Sequence, residues 1–256
     1  MREVTALDDR LNRLTNRLMR RFPQPSLAIS TREPIVSFTF DDVPDTALSN
    51  GARILEAHQA RGTFYIAGGL VDRVEAGRTL ISENGIGQLH RRGHEIACHT
   101  FAHRNVRKTS AGVLRADLDR NRDFLQQATG GWTPRNFAFP YNAMSPFARE
   151  EFTRRFRTTR GGGERINRGV IDPRLLGAVE IRQPAEHAAG LTRWVDDVVE
   201  NPGWLIFFVH DIADVPTPHG TTPAIFDHLV RHAVERGCTL LTVDAALDRL
   251  EAGRVH

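Results

Sequence analysis

Residues 35–42 read IVSFTFDD, a short β-like run that ends in the adjacent acids Asp41 and Asp42. Two histidines, His99 and His103, follow further along the chain with three residues between them. One carboxylate and two imidazoles can bind a borderline divalent metal ion, and the second carboxylate is then left to serve as a base. These four side chains are sufficient equipment for metal-assisted hydrolysis, so the sequence predicts a hydrolase.

From residue 35 onward, short β-like runs alternate with helical stretches. Strands are predicted at 35–40, 63–66, 94–99, 136–139, 156–159, 178–181, 204–209 and 239–243. Helices are predicted between them, at 46–61, 79–92, 110–129, 146–155, 192–200 and 223–236. Such alternation predicts parallel strands joined by crossover helices. With seven or eight units, a closed (β/α)7-8 barrel of the α/β class is favoured over an open doubly wound sheet.

Candidate functional side chains fall at the carboxyl ends of the predicted strands. They are Asp41, Asp42, His99, Tyr141 and His210. In a parallel barrel, these ends and the loops that follow them form one face, where active sites lie. The sequence therefore predicts that residues far apart along the chain converge at one mouth of the barrel.

Composition is that of an ordinary globular protein, with 40% hydrophobic and 25% charged residues among 256. The 34 basic residues nearly balance the 31 acidic ones, and Lys108 is the only lysine. No basic run is interleaved with aromatic residues, so a nucleic-acid partner is not predicted. Cys98 and Cys238 form no metal-type pair, and a disulfide framework is not expected.

The first 21 residues lack a continuous apolar core and do not resemble a signal peptide. The longest apolar run, residues 204–209, is too short to span a bilayer, so no transmembrane segment is predicted. A cytoplasmic location is therefore expected.

The N-terminal residues carry an apolar stripe that predicts an amphipathic helix. Its members, three or four residues apart, are Val4, Leu7, Leu11, Leu14 and Leu18. Packing on the body of its own domain is the favoured interpretation. A homo-oligomer seam and a basic membrane-surface helix remain alternatives. Residues 1–33 are accordingly assigned to a helical extension and residues 34–256 to the catalytic domain.

Four short motifs appear in a fixed order along the chain: TFDD at 39–42, GHE at 93–95 leading into HTFAH at 99–103, FAFPY at 137–141, and VHD at 209–211. In this order they resemble the motifs of the polysaccharide deacetylase family, the NodB-homology domain of carbohydrate esterase family 4. The resemblance covers roughly residues 34–250. It implies a distorted (β/α)7-8 barrel that forms a single domain.

The resemblance also implies roles for six residues. They are Asp41 as general base, Asp42, His99 and His103 as metal ligands, Tyr141 as an oxyanion-hole donor through its backbone N–H, and His210 as general acid. The implied cofactor is one divalent metal ion, with zinc favoured and cobalt, nickel or manganese as alternatives. The implied substrate is an N-acylated saccharide, which would lose an acetyl or similar small acyl group from nitrogen.

The chain departs from the family pattern beside the proposed base. Val43 and Pro44 follow the paired acids, where many members have glycine, and Ala138 stands where an arginine often orients the base. The FAFPY form resembles a branch of the family that lacks this arginine. Arg160, at the end of the following predicted strand, could supply a replacement guanidinium or could simply be a surface arginine.

The family's Asp-Trp element, which supports the catalytic histidine, is not found in the sequence. Asp244 or Asp211 could orient His210, and the sequence does not choose between them. Two other functions stay open, and the departures from the family pattern motivate the second of them. One is hydrolysis of a non-carbohydrate linear or cyclic amide by the same metal chemistry, and the other is glycan binding with weak activity.

Overall fold

The computed structural model describes residues 14–15, 27–29, 31–145 and 148–252. The strands of this part of the chain are β1 (Leu27–Ile29), β2 (Ile35–Asp41), β3 (Thr63–Ile66), β4 (Val74–Glu75), β5 (Arg78–Thr79), β6 (Glu95–Cys98), β7 (Asn136–Ala138), β8 (Thr158–Arg160), β9 (Gly169–Ile171), β10 (Val179–Glu180), β11 (Trp204–Val209) and β12 (Thr239–Leu240). Eight of these correspond to the eight strands that the sequence predicts.

Those eight strands form one parallel sheet in the order β10-β11-β2-β3-β6-β7-β8, with β12 paired to the start of β2. The two ends of this order approach each other, because Arg160 of β8 makes a parallel bridge with Leu176, which lies just before β10. The sheet therefore curls round on itself. The predicted distorted barrel is confirmed.

Helices surround the sheet. They are α1 (Arg53–Ala57), α2 (Glu83–Arg91), α3 (Ala111–Thr129), α4 (Arg149–Arg155), α5 (Ala185–Ala189), α6 (Thr192–Glu200), α7 (Pro223–Glu235) and α8 (Val243–Ala252). A wider π-helical turn at Ala47–Ala52 leads into α1. The six predicted helices are all present, although residues 146–147 of the fourth lie outside the described residues. Helices α5 and α8 were not predicted from the sequence.

Alternating side chains on β2 explain how the first aspartate comes to face the barrel interior. Phe38 and Phe40 point outward and pack edge-on against Phe226 of α7, with ring centroids 5.5 and 5.7 Å away. On the opposite face, Ser37 accepts a hydrogen bond of 2.9 Å from the indole N–H of Trp204. Asp41 shares this inner face, because side chains two residues apart in a strand point the same way.

The amino-terminal end of the barrel is closed by a buried polar network around Glu95. Its carboxylate accepts hydrogen bonds from the Asn136 amide (2.6 Å), the Thr63 hydroxyl (2.8 Å) and the Asp244 backbone N–H (3.0 Å). Burial raises the pKa of Glu95, and the hydrogen bonds from Asp244, Asn136 and Thr63 oppose that rise. This network belongs to the end of the barrel opposite the predicted site.

The last predicted strand, 239–243, is too long. The strand ends at Leu240 and α8 begins at Val243. The Thr242 hydroxyl accepts a hydrogen bond from the Ala245 N–H at 3.3 Å, which is a helix N-cap contact. A threonine three residues before an alanine-rich, 3.6-periodic stretch was the available signal.

The predicted N-terminal amphipathic helix lies outside the described residues, apart from residues 14–15, which are helical. Its packing, and the homo-oligomer that it could form, therefore stay predictions. Among the helices that the structure describes, none has the length and apolar character needed to cross a bilayer.

Candidate active site

The structure brings three of the predicted site residues together at the carboxyl ends of β2 and β6. The Nε2 atom of His103 lies 3.0 Å from Asp42 Oδ1, and Nε2 of His99 lies 3.7 Å from the same oxygen. One ligand atom from each residue lies within 4.8 Å of the others. A carboxylate and two imidazoles in this arrangement could hold one divalent metal ion and leave a coordination position open.

Unsatisfied hydrogen-bonding atoms support this fit. Asp42 Oδ1 is buried, and although Nε2 of His103 lies 3.0 Å away, no hydrogen bond of acceptable angle reaches this oxygen from the residues that the structure describes. A buried acceptor normally has a partner, and a cation between this oxygen and the two imidazoles would supply one. The Nδ1 atom of His99 lies 2.8 Å from the Ala138 carbonyl, to which it donates. That hydrogen bond leaves Nε2 of His99 unprotonated and facing Asp42.

The pKa values of these side chains also favour the protonation states that bind a metal ion. Burial lowers the pKa of His99 to about 4, so its imidazole is neutral at physiological pH. Burial alone would raise the pKa of Asp42, yet the imidazoles of His103, His210 and His99 lower it well below its usual value. Metal ions bind neutral imidazole and ionised carboxylate, the forms that this environment stabilises.

The backbone around the cluster is strained. Asp42, Val43, Thr100, His103 and Tyr141 all have positive φ angles, between 48 and 60°. Few residues other than glycine adopt this region, and β-branched residues such as Val43 and Thr100 do so least readily. The left-handed turn at Asp42 ends β2 and directs the second carboxylate toward the histidines. Strain of this kind is typical of functional sites.

Arg160 contacts the other aspartate of the pair. Its Nη2 atom donates a hydrogen bond to Asp41 Oδ1 in a buried ion pair. The Arg160 guanidinium is fully buried and lies over the rings of Tyr65 and Phe208, 5.0 and 4.7 Å from their centroids. The surface alternative for Arg160 is therefore wrong, because its guanidinium is buried and pairs with the Asp41 carboxylate.

His210 lies beside the cluster but has neither of its expected partners. Asp211 instead accepts a hydrogen bond of 2.8 Å from the Thr217 N–H. Asp244 lies at the far end of the barrel, where its carboxylate pairs with Arg157 at 2.6 Å. Both expectations are wrong, for two different reasons: the Asp211 carboxylate turns back into its own loop, and Asp244 lies in the first turn of α8. The Nδ1 atom of His210 instead lies 3.3 Å from the His219 carbonyl.

Burial lowers the pKa of His210, and the nearby carboxylates of Asp42 and Asp41 partly offset that effect. Tyr141 lies on the other side of the cluster, where its ring contacts His103 edge-on with the centroids 4.6 Å apart. All six predicted site residues therefore lie at one mouth of the barrel.

Arg78, which was not predicted as a site residue, contacts the metal-ligand candidate Asp42 from a two-stranded hairpin. Nη2 of Arg78 donates to Asp42 Oδ2 at 2.9 Å, and its Nε donates to Glu75 at 2.9 Å. The hairpin formed by β4 and β5 turns at Gly77, whose φ is 83°. No periodicity in this short segment could have placed the arginine against an acid 36 residues away.

Asp117 of α3 was also missed, and it holds the loop between the two histidines. Its Oδ2 accepts the Phe101 N–H at 2.6 Å, and Oδ1 accepts from the Arg104 Nε at 2.7 Å. Asn121, one turn further along α3, accepts the Gly68 N–H and donates to the Ile66 carbonyl, each at 2.9 Å. Two polar residues four apart on the apolar face of a helix were the signal for this support.

Replacing Asp117 with alanine is expected to lower the free energy of unfolding by about 1–2 kcal/mol, because the charge-assisted hydrogen bonds to the loop are lost. Thermal unfolding of Asp117→Ala would measure the loss. Asp123→Ala is the matched control, since Asp123 lies on the same helix with a carboxylate that is 64% exposed. Equal unfolding temperatures for the two variants would contradict the role given to Asp117.

An α/β barrel with paired aspartates and two histidines at its mouth defines the class of NodB-like barrels. The chain belongs to the polysaccharide deacetylase family, whose model, described as polysaccharide deacetylase, matches residues 28–154. It is similar to a chitin deacetylase of Colletotrichum lindemuthianum, with 28% identity over 114 residues, which make up 43% of each protein. The chain spans between 17% and 43% of the length of the curated relatives it matches.

Solved structures share the fold over most of the chain. A family 4 acetyl xylan esterase from Clostridium thermocellum, in complex with a cobalt ion, has a TM-score of 0.59 and 23% identity, covering 85% of this chain and 90% of that one. A family 4 pseudoenzyme from Bacillus anthracis has a TM-score of 0.56 and 16% identity, covering 84% of this chain and 66% of that one. Identities this low show a common fold only.

Proposed function

We propose that this chain is a metal-dependent hydrolase that removes an N-acetyl or similar small acyl group from an amino-sugar-containing carbohydrate. One observation carries the proposal. Asp42, His99 and His103 converge around an unsatisfied buried oxygen, while the neighbouring Asp41 is held apart by Arg160. Three ligands and one adjacent carboxylate that does not bind the metal suit hydrolysis by an activated water.

The donor set fits a catalytic metal rather than a structural one, because three protein ligands leave an open position. Zinc suits two imidazoles and a carboxylate, and cobalt, nickel and manganese bind the same groups. A divalent ion bound there supplies a Lewis acid, which polarises an acyl carbonyl and makes water easier to deprotonate. The protein supplies the remaining chemistry.

Asp41 acts as the general base in this proposal. Its Oδ1 accepts a hydrogen bond from Arg160, which fixes the carboxylate and leaves Oδ2 to take the proton from the attacking water. The Arg160 guanidinium is itself held by the rings of Tyr65 and Phe208. A base fixed by a buried, stacked partner loses little orientational freedom when the substrate binds.

His210 acts as the general acid, because an amine leaves poorly as an anion and must receive a proton. Its Nδ1–H donates to the His219 carbonyl, so Nε2 is the atom that carries the transferred proton. The backbone N–H of Tyr141 stabilises the oxyanion. One preorganised donor of this kind contributes about 3 kcal/mol to the transition state.

Relatives support a carbohydrate substrate. The chitin deacetylase, by its name, removes acetyl groups from a polysaccharide of amino sugars. The alternative, a glycan-binding protein of weak activity, is motivated by a missing arginine and a missing histidine partner. Against the first point, the buried Arg160 pairs with Asp41 and so supplies a guanidinium. Against the second, the His219 carbonyl accepts a hydrogen bond from His210.

Purified protein, stripped of metal with a chelator, is expected to release no acetate from N-acetylated oligosaccharides. Addition of zinc, cobalt, nickel or manganese should restore release, because the ion provides the electrophile. Acetate and formate are measured across a panel of chitin and peptidoglycan fragments. Small cyclic amides are assayed in parallel to test the non-carbohydrate alternative.

Two histidine variants serve as the matched pair for this experiment. His103→Ala should lose both metal binding and acetate release, whereas His228→Ala, which changes an exposed histidine of α7, should retain both. Metal-loaded protein that releases neither acetate nor formate from any acylated saccharide would exclude the proposed activity. Binding of the same saccharides without product would then favour the glycan-binding alternative.

A further inference from the structure

A second cluster of potential metal ligands lies on the His210 side of the barrel mouth. Glu180 ends β10, His210 follows β11, and His219 lies in the loop after it. One ligand atom from each lies within 4.8 Å of the others. Glu180 Oε1 is 2.9 Å from His219 Nδ1, and the two imidazole centroids are 5.3 Å apart.

The second cluster repeats the composition and the key distance of the first. Each contains two imidazoles and one carboxylate, and the shortest nitrogen–oxygen distances are 3.0 Å in the first and 2.9 Å in the second. Ligand atoms around a tetrahedral zinc ion lie about 3.3 Å apart, given bond lengths near 2.0–2.1 Å. An ion could therefore replace the shared proton between Glu180 and His219 with small side-chain movements.

The backbone holds these three residues in place. Glu180 pairs in register with Phe208 of β11, which fixes the end of β10. The His210 N–H donates to the His219 carbonyl at 3.2 Å, and the Gly220 N–H donates to the Thr217 carbonyl at 3.0 Å. The loop that carries His219 is therefore preorganised, and little conformational freedom is lost when an ion binds.

Exposure distinguishes the two clusters. The His219 side chain is 63% exposed and that of Glu180 is 22% exposed, whereas Asp42 and His99 are almost fully buried. Ions in solution can reach the outer cluster without a structural opening. Its ligands are also better hydrated and less constrained, so it should bind more weakly than the inner cluster.

We propose that Glu180, His210 and His219 form a second, weaker divalent-metal site, which zinc occupies when it exceeds the capacity of the first. Occupancy switches off the acid function of His210. Imidazolium, the form that releases a proton near neutral pH, requires hydrogens on both ring nitrogens. Coordination of either nitrogen excludes that form. Only this consequence for activity rests on the proposed function, whereas the metal site itself does not.

Zinc binding is measured directly, by equilibrium dialysis against increasing zinc followed by elemental analysis of the protein. Wild-type protein should approach two zinc ions per chain, whereas His219→Ala and Glu180→Gln should each stop at one. His228→Ala is the control, because the exposed His228 and the half-buried His232 of α7, with ring centroids 6.4 Å apart, could bind zinc adventitiously. The control variant should still bind two ions.

Three results would overturn the proposal. They are a single zinc ion in wild-type protein, a second ion that persists in both His219→Ala and Glu180→Gln, and a second ion lost in His228→Ala. His99→Ala separates this site from the proposed function, since it should lose the tighter ion and keep the weaker one.

Activity provides the second measurement. Excess zinc should lower wild-type acetate release by about 100-fold, the contribution typical of a general acid, while His219→Ala resists this inhibition. Equal inhibition of wild type and His219→Ala would show that metal bound at the second site does not coordinate His210.

Discussion

Asp41→Asn is expected to lower kcat for deacetylation by about 10³-fold, the loss typical when a general base is removed. Asparagine keeps the size of the side chain and can still contact Arg160, but its amide cannot accept a proton from water at neutral pH. The metal-ligand candidates are untouched, so zinc affinity should stay close to that of the wild type. Steady-state kinetics and equilibrium dialysis on the same preparation measure the two quantities.

Asp45→Asn is the matched control, because Asp45 is an exposed aspartate four residues further along the chain. It should keep wild-type kcat and wild-type zinc content. Deacetylation by Asp41→Asn at the wild-type rate would show that another group is the base. Loss of zinc from Asp41→Asn would instead show that Asp41 is a metal ligand. The roles proposed for Asp41 and Asp42 would then have to be exchanged.

The positions of Asp41 and Asp42 at the end of a strand could be predicted from the sequence, whereas the separate roles of the two acids are implied only by the family resemblance. Hydrophobic runs of strand length located the strands, and the position of each acid and histidine at a strand end followed from the parallel fold. The convergence of Asp42, His99 and His103 needs no further information than this topology.

Contacts made by loops could not be predicted in the same way. Arg78 reaches Asp42 only because a hairpin turn at Gly77 folds back over the barrel mouth. His210 meets a backbone carbonyl, that of His219, and a carbonyl leaves no signal in side-chain patterns. Loop conformation depends on many weak contacts, so these partners required the structure.

The contact made by Arg160 could be predicted only in part. The sequence placed Arg160 at the end of a strand, but it did not show whether its side chain faced solvent or pointed into the barrel toward Asp41. Tyr65, Ala97 and Ala138 form a small cluster on neighbouring strands, and the two alanines are small enough to leave room for a guanidinium inside the barrel. The alanine that replaces the usual arginine therefore also makes space for the substitute.

Arg160→Met should lower the free energy of unfolding by about 3–5 kcal/mol, because it leaves the buried Asp41 carboxylate without a counter-charge. Methionine is apolar and similar in length, and its sulfur packs well between aromatic rings, so lost volume contributes little. The loss should be measured by chemical denaturation of chelator-treated protein, so that no bound cation compensates for the missing charge. Arg193→Ala, at an exposed position of α6, is the surface control.

The double variant Asp41→Asn/Arg160→Met separates the effect of the unpaired charge on stability from the effect of the changed side-chain shape. Replacing both charged partners removes the unpaired carboxylate, so the double variant should be more stable than Arg160→Met alone by about 2 kcal/mol or more. Arg160→Lys tests orientation separately, since a compact ammonium keeps the charge but not the planar fork. It should fold stably and still lose kcat. Additive losses in the double variant would mean that Arg160 supports the barrel without acting through Asp41.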